Sequence, residues 1–294
     1  MKWQLINTYK NWDSIVSIYS DWTKVRDAEL WCYIEYPESM DLKITNYCWA
    51  WCVRCHEQST IEWKHWDLKK CLKYLNLPEW VEIAIWWWNP LDHPDYIWFI
   101  KELRNKWLIP NTTINAFHIV KPEYKELVME AQKYCYAIWI SYNKGLNISN
   151  TQYINKDNVV IHLIAWVDEL SDIDRCVEMW FTKFLILWFK VYWRWKWYYS
   201  ERVEKWIMKW YTSLHKYIWK VTISFDNLAI RQLNARRWFD KESRDKFYMW
   251  DDWNFTMYID AVEDKFAVCS FSDRRYDTLK DIKDMFYIIK NNNV

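Results

Sequence analysis

Three cysteines lie close together in the sequence, at the spacing Cys48-x3-Cys52-x2-Cys55. Three thiolates on one short loop can bind three irons of a cubane iron–sulfur cluster and leave the fourth iron open, which an electron-transfer ferredoxin would not do. A zinc site formed by these cysteines and His56 is the alternative. Ligands at the adjacent positions 55 and 56 are awkward for tetrahedral coordination, so the spacing favours the cluster.

The chain has 27 tryptophans and 1 glycine, whereas ordinary usage of roughly 7% would give about twenty glycines. Trp12 and Trp22 stand where hairpin turns favour glycine, after Asn11 and Asp21. Trp107 and Trp180 follow the last periodic residue of predicted helices, again a glycine position. We therefore predict that most of these tryptophans are glycine in the natural protein, through a UGA codon that the organism reads as glycine. A truly tryptophan-rich chain is the alternative.

A second motif, Trp86-Trp87-Trp88-Asn89-Pro90, follows the apolar segment Val81–Ile85. Read as glycine, the three tryptophans would let the backbone approach a ligand closely, because glycine has no Cβ. Three real indoles would instead fill such a pocket. Alone, the motif is weak evidence for a ligand site. Its place after the second predicted strand strengthens that evidence, because the cysteines follow the first strand.

Short apolar strands alternate with amphipathic helices from about residue 41 to 225. Leu68, Cys71, Leu72 and Leu75, for example, keep helical spacing. This alternation is typical of a parallel sheet with crossover helices. The predicted fold class is α/β, a partial (β/α)6 TIM-like barrel with β-hairpin additions at the N- and C-terminal ends. The predicted strands span residues 41–45, 81–85, 112–115, 137–141, 159–164, 183–187 and 221–225.

Three regions follow from these patterns. Residues 1–38 are predicted to form an N-terminal β-hairpin extension and residues 39–232 the core barrel. Residues 233–294 are predicted to form a C-terminal α+β extension, with a second hairpin over 255–260 and 265–270.

The cysteine motif after the first strand and the glycine-like motif after the second resemble the radical S-adenosylmethionine (SAM) superfamily. The polar stretch just past the cysteines, over 55–59 and 64–67, together with the glycine-like motif and the C-terminal segment 251–254, also resembles phage and bacterial radical SAM proteins of unassigned function. The resemblance implies a [4Fe–4S] cluster on Cys48, Cys52 and Cys55, whose open iron is chelated by SAM. It further implies reductive cleavage of SAM, hydrogen abstraction from an unknown substrate, and an electron donor such as flavodoxin or ferredoxin.

The same resemblance implies which residues bind SAM. Arg54 replaces the usual aromatic residue that gives a backbone contact to adenine. The glycine-like motif binds the SAM amino group through backbone carbonyls, and Asn89 replaces the acidic residue that often follows the glycines. Further polar residues follow later strands, where barrel enzymes place their sites. The implied SAM-binding set is Arg54, Trp86, Trp87, Trp88, Asn89, Asn115, Ser141, Asn143 and Ile164.

Lys and Arg total 40 and Asp and Glu total 39, so charge does not indicate nucleic acid or an anionic membrane as a partner. We find neither an apolar run of about 18 residues nor a signal-peptide pattern, and expect a soluble cytoplasmic protein. Cys71 and Cys176 lie on apolar helix stripes and are predicted core residues. Two alternatives to a radical SAM enzyme remain: a zinc-binding structural module, and a catalytically degenerate barrel that acts as a binding protein.

Overall fold

The computed structural model of the chain describes residues 4–20, 24–27, 33–50, 55, 59–62, 65–86, 89–188, 209–210, 212–217, 220–234, 237, 240–242 and 252–292. Of the predicted site residues, Cys52, Arg54, Trp87 and Trp88 lie outside this range, as do Trp22 and His56.

The N-terminal region forms a small antiparallel sheet of three strands, β1 (Leu5–Asn11), β2 (Ser14–Tyr19) and β3 (Lys24–Asp27). The expected hairpin is its first two strands, and β3 adds to the other side of β2. Val16 and Ile18 of β2 are fully buried while Ile15 is exposed, the alternation of a sheet with one covered face.

A larger sheet contains ten strands within the described residues. Seven of them, β4 to β10, are mutually parallel and follow one another in chain order across the sheet. These seven correspond to the seven strands expected from the sequence. The strands are β4 (Ser39–Lys43), β5 (Glu82–Ile85), β6 (Ile109–Asn115), β7 (Ala137–Ser141), β8 (Val159–Ile164), β9 (Lys183–Leu187), β10 (Thr222–Phe225), β11 (Thr256–Asp260), β12 (Lys265–Ala267) and β13 (Tyr276–Asp277).

α-Helices connect most of the parallel strands, as the alternating pattern predicts, whereas the fully described connection from β7 to β8 has only a short 3-10 turn at Lys156–Asn158. In the helix over Tyr96–Asn105, residues Tyr96, Phe99, Ile100 and Leu103 are buried, so one apolar stripe faces the core. Cys71 and Cys176 are fully buried, which confirms their assignment to the core. The described α-helices are α1 (Leu68–Tyr74), α2 (Tyr96–Asn105), α3 (Ala116–Ile119), α4 (Lys125–Tyr134), α5 (Leu170–Glu178), α6 (Asn227–Leu233), α7 (Asp252–Phe255) and α8 (Ile282–Asn292).

The strand order does not confirm the partial-barrel detail of the prediction. Its strand order runs linearly from β10 to β13, and within the described residues these two end strands do not pair with each other. The architecture observed is therefore an open, mostly parallel α/β sheet, and no closed barrel is seen in this part of the chain.

The C-terminal hairpin extends the same sheet. Strand β11 pairs with β12 as expected, and it also pairs in parallel with β4. At the end of this contact Lys43 Nζ lies 2.8 Å from Asp260 Oδ2, and both side chains are almost fully buried. Tyr258 Oη and Arg275 Nη1 approach the same Asp260 oxygen at 3.3 and 3.5 Å. A buried ion pair thus joins the first parallel strand to the C-terminal extension.

Seven residues other than glycine have positive φ in the described part of the chain, and five of them are tryptophan. Trp12 (φ 54°) is the first central residue of the two-residue turn between β1 and β2. Trp107 (φ 59°) and Trp180 (φ 71°) follow α2 and α5. All three were expected at such positions from the sequence. Trp80 (φ 69°) and Trp166 (φ 73°) have the same backbone conformation and were not anticipated.

The ends of α2 and α5 explain the left-handed conformation of Trp107 and Trp180. After α2 the N–H of Leu108 donates to the carbonyl of Leu103 at 3.0 Å, and after α5 the N–H of Phe181 donates to that of Cys176 at 3.0 Å. This hydrogen bond closes the helix only when the intervening residue is left-handed, which is why glycine is favoured there.

A search of the helices in the described residues finds none with both the length and the apolar content that crossing a membrane requires.

Candidate active site

Cys48 lies just beyond the C-terminal end of β4, in a segment that contacts the residues leading into α1. The backbone N–H of Cys48 donates to the carbonyl of Thr60 at 3.1 Å, and Thr45 forms an isolated bridge with His65. Cys48 is 8% exposed and Cys55 is half-buried. The cysteine loop therefore begins where parallel α/β proteins place their sites.

Two polar residues lie near Cys48 in the loops that follow neighbouring strands. Asp92 follows β5, and His118 lies in α3 directly after β6. One ligand atom from each of Cys48, Asp92 and His118 lies within 4.8 Å of the other two. The side chain of His118 is fully buried and that of Asp92 is 6% exposed. Thiolate, carboxylate and imidazole are all metal ligands, so this group could hold a metal ion.

The Asp92 and His118 side chains are shielded from solvent, which lowers the local dielectric constant. Tyr124 donates its hydroxyl to Asp92 Oδ1, and the second oxygen, Oδ2, lies 3.8 Å from His118 Nε2. Burial raises the pKa of Asp92, an effect that the Tyr124 hydrogen bond partly offsets. Burial also lowers the pKa of His118 to about 3, with the Lys121 charge acting in the same direction. The imidazole is therefore neutral at physiological pH.

Trp49 fills the remaining side of this group. Its ring lies 4.8 Å from that of His118 and stacks on Tyr124 at 6.2 Å. The Lys121 ammonium sits 3.2 Å from the ring centroid. An indole thus occupies the volume next to Cys48.

Trp86, the first residue of the glycine-like motif, directly follows β5. It packs with Tyr258 and Ala267 in a small apolar cluster of its own. Asn89 is fully buried and its backbone carbonyl accepts from the N–H of Asp92 at 3.0 Å. Asn89 thus lies three residues before Asp92, which belongs to the Cys48 group.

The structure brings three of the predicted SAM-binding residues together. Asn115 and Ser141 are register partners at the ends of β6 and β7. Asn143 donates its side-chain N–H to Asn115 Oδ1 at 3.4 Å. Asn115 Oδ1 also accepts from the N–H of Phe117 at 2.9 Å and so caps α3, which carries His118. One side chain therefore links this polar set to the Cys48 group.

Ile164 ends β8 in a different setting. Its backbone N–H donates to Asp168 Oδ2 at 2.7 Å, and its carbonyl accepts from the N–H groups of Val167 and Asp168. The backbone of Ile164 is thus used inside a tight turn that also contains Trp166. A ligand contact along this segment would have to use neighbouring backbone groups or the side chain.

Comparison with known proteins gives a structural match and no sequence match. No protein-family model matches the chain, and no curated protein matches it either. The chain shares its fold with SuiB of Streptococcus suis. SuiB bound to its precursor peptide SuiA superposes with a TM-score of 0.60 at 12% identity, over 88% of this chain and 67% of SuiB. SuiB alone gives 0.57 at 14% identity, over 86% and 66%.

SuiB bound to S-adenosylmethionine superposes with a TM-score of 0.54 at 12% identity, over 83% of this chain and 64% of SuiB. The chain thus spans about two thirds of the length of SuiB. At this identity the likeness shows the fold alone: a mixed α/β fold with a large parallel sheet, the same as that of a protein that binds SAM.

Sequence reasoning missed Asp92, His118 and Tyr124. Asp92 comes three residues after Asn89, and His118 three residues after Asn115. Both lie just past the C-terminal ends of parallel strands, so the rule that sites gather at this edge could have found them. The rule does not say which polar residue of a loop turns inward, and that depends on the short helices that follow each strand.

Proposed function

We propose that this chain is a radical SAM enzyme in which Cys48, Cys52 and Cys55 hold one [4Fe–4S] cluster. The observation that carries the proposal is the position of Cys48. It opens the three-cysteine loop at the C-terminal end of the first parallel strand, in a fold shared with a protein that binds SAM.

The residues around Cys48 suit a bound polar group. Both ring nitrogens of His118 and Oδ2 of Asp92 are buried and fall short of hydrogen-bond geometry with any group in the described residues, although the Asn115 backbone and the Asn89 side chain act on the pKa values of His118 and Asp92. Buried polar atoms nearly always have a partner in folded proteins. A cluster with its bound SAM would supply charge and hydrogen-bonding groups at this place. Glycine at position 49 would also vacate the volume that the indole fills beside Cys48.

A [4Fe–4S] cluster held by Cys48, Cys52 and Cys55 would supply the electron for reductive cleavage of bound SAM, and that cleavage would provide for hydrogen abstraction from the substrate. The chain's own residues bind and orient SAM and the substrate, and they exclude water from the site. In this proposal the backbone at 86–89 binds the SAM amino group, and Asn115, Ser141 and Asn143 meet its ribose or carboxylate. The segment around Ile164 lies along the adenine. A flavodoxin or ferredoxin delivers the electron.

The test uses the glycine form, defined as the full-length chain with glycine at every position encoded by UGA. Anaerobic reconstitution with iron and sulfide should give a brown protein with about four irons. Reduction in the presence of SAM should release 5′-deoxyadenosine and methionine. Cys48→Ala, Cys52→Ala and Cys55→Ala should each abolish that release, because each removes a cluster ligand.

Cys71→Ala and Cys176→Ala are the matched controls. Both thiols are fully buried core groups, and burial raises the pKa of Cys71 to about 12, so neither is a ready metal ligand. These variants should keep the iron and the cleavage and lose only packing energy, about 1 kcal/mol or somewhat more. Cleavage that survives Cys52→Ala would refute the three-cysteine assignment, and iron bound without cleavage would support a degenerate barrel.

A zinc module is the second candidate, because Cys48, Asp92 and His118 form a mixed sulfur, oxygen and nitrogen set of the kind that zinc accepts. It predicts one zinc per chain and a colourless protein after reconstitution. Metal analysis of the same sample therefore separates the two functions.

SuiB is bound to a precursor peptide in one of its structures, so a peptide is the substrate class that we propose to test first. Formation of 5′-deoxyadenosine above the substrate-free rate, in the presence of a candidate peptide, is the measurement.

A further inference from the structure

His118 is placed beside Cys48 by the backbone rather than by its own side-chain bonds. It lies in the four-residue helix α3, whose start is fixed by the Asn115 cap. Its ring is fully buried, and one nitrogen lies within 4.8 Å of both the Cys48 sulfur and an Asp92 oxygen. Neither ring nitrogen meets hydrogen-bond geometry in the described residues, although the Asn115 backbone contributes to the pKa of His118.

A buried donor left without a well-formed hydrogen bond costs up to about 1–3 kcal/mol, and the Cys48 sulfur lies within 4.8 Å of one ring nitrogen, so this arrangement favours an acceptor bound at Cys48. The imidazole of His118 also contacts the Asp92 carboxylate. Oδ2 of Asp92 lies 3.8 Å from Nε2, and Tyr124 fixes the other Asp92 oxygen by donating its hydroxyl. Asp92 and Tyr124 thus limit how the ring can turn.

We propose that His118 donates an N–H to sulfur of the cluster that Cys48 holds and thereby raises the reduction potential of that cluster, with Asp92 and Tyr124 as positioning residues. The inference rests on the proposed function. Reduction adds negative charge to a cluster, and hydrogen bonds to its sulfurs are among the factors that set its potential. A donor aimed at sulfur stabilises the reduced form more than the oxidised form. His118 would therefore make the cluster easier to reduce before it cleaves SAM.

The experiment measures the cluster itself, in the absence of SAM. The glycine form and its variants are reconstituted, iron is counted, and the midpoint potential is found by redox titration followed by absorbance and electron paramagnetic resonance. His118→Leu removes the donor while keeping an apolar side chain in the buried site. We expect full iron content and about a tenfold lower ratio of reduced to oxidised cluster at a fixed potential, a shift of about 59 mV for one electron.

His118→Gln retains an N–H donor and should restore most of the potential. Tyr124→Phe removes the hydroxyl that holds Asp92 and should give a smaller shift of the same sign; it also serves if His118→Leu does not fold. His162→Gln is the matched control. His162 is 5% exposed, its Nε2 has no hydrogen bond in the described residues, and it is not part of the Cys48 group.

An unchanged potential in both His118→Leu and Tyr124→Phe would overturn the inference. So would an equal shift in His162→Gln, or loss of iron in His118→Leu, since the latter would make His118 a metal ligand. Failure of this inference alone appears as a normal cluster with an unshifted potential. Failure of the proposed function appears as no cluster in the parent protein, and it overturns both.

Discussion

Tryptophan at a left-handed backbone position is unfavourable for a local reason, since its Cβ crowds the following carbonyl at a cost of about 1–2 kcal/mol. Five such tryptophans in the described residues are difficult to reconcile with a natural tryptophan-rich sequence. We propose that these positions are glycine in the native protein.

The first prediction therefore concerns coding. We expect UGA codons at the positions predicted from the sequence and at two more that the backbone conformation adds, Trp80 and Trp166. Mass spectrometry of the native protein should find glycine at each position. UGG codons at positions 86 to 88 would contradict the proposed recoding and, with it, much of the proposed SAM-binding site. The positions predicted from the sequence are Trp12, Trp22, Trp86, Trp87, Trp88, Trp107 and Trp180.

The same idea has a physical readout in the tryptophan form. Trp107→Gly and Trp180→Gly should each stabilise the fold by about 1 kcal/mol, because relief of strain exceeds the entropy cost of glycine. Urea unfolding measures the change. Trp98→Gly is the control: it lies inside α2, where glycine costs about 1 kcal/mol relative to alanine, and it should destabilise. Destabilisation by all three variants would contradict the strain argument.

At the scale of elements, the parallel contact between β4 and β11 depends on the buried Lys43–Asp260 pair. Asp260→Asn should destabilise the fold by about 3 kcal/mol or more, since removing one partner leaves a buried Lys43 charge without its carboxylate. The Asp260 carboxylate also accepts from the N–H groups of Val262 and Glu263. Chemical denaturation monitored by circular dichroism is the measurement.

Asp264→Asn is the matched control for this prediction. Asp264 pairs with Lys70 at 2.6 Å, but the two side chains are 35% and 53% exposed. Exposed ion pairs contribute about 0–1 kcal/mol, so the control should change little. Equal effects of the two substitutions would show that burial of the Lys43–Asp260 pair is not what matters.

The sequence could predict those elements whose determinants lie close together along the chain. The apolar period of β5 or α2 is local, and so the strands and helices were found with shifts of a few residues; β6 begins at Ile109 rather than 112. The pairing of β11 with β4 depends on contacts between residues more than 200 positions apart, which no local pattern encodes. For the same reason the sequence identified Cys48 and missed His118, since only the fold brings these two side chains together.

At the scale of the whole molecule, buried histidines make stability depend on pH. Burial lowers the pKa of His162 from 6.5 to about 3. Because the unfolded chain takes up a proton below pH 6.5 and the folded chain does not, the stability present above pH 6.5 is lost as the pH falls towards 3. Each pH unit in this window costs up to about 1.4 kcal/mol for one histidine.

Urea unfolding of the parent chain and His162→Gln at several pH values checks this prediction. The variant should lose less stability per pH unit than the parent, by the equivalent of one proton. Parallel curves for the two proteins between pH 6.5 and pH 4 would contradict it.

The position of β4 also matters while the chain is being made. This strand sits inside the sheet, between β5 and β11, yet Lys43 and its partner Asp260 are 217 residues apart. At roughly 5–20 residues per second of synthesis, one edge of β4 waits for roughly 10–40 s before β11 can cover it. An uncovered strand edge is a template for pairing with other chains. A ribosome that stopped at a UGA codon before residue 256 would release the protein with that edge still open, next to the cysteine loop.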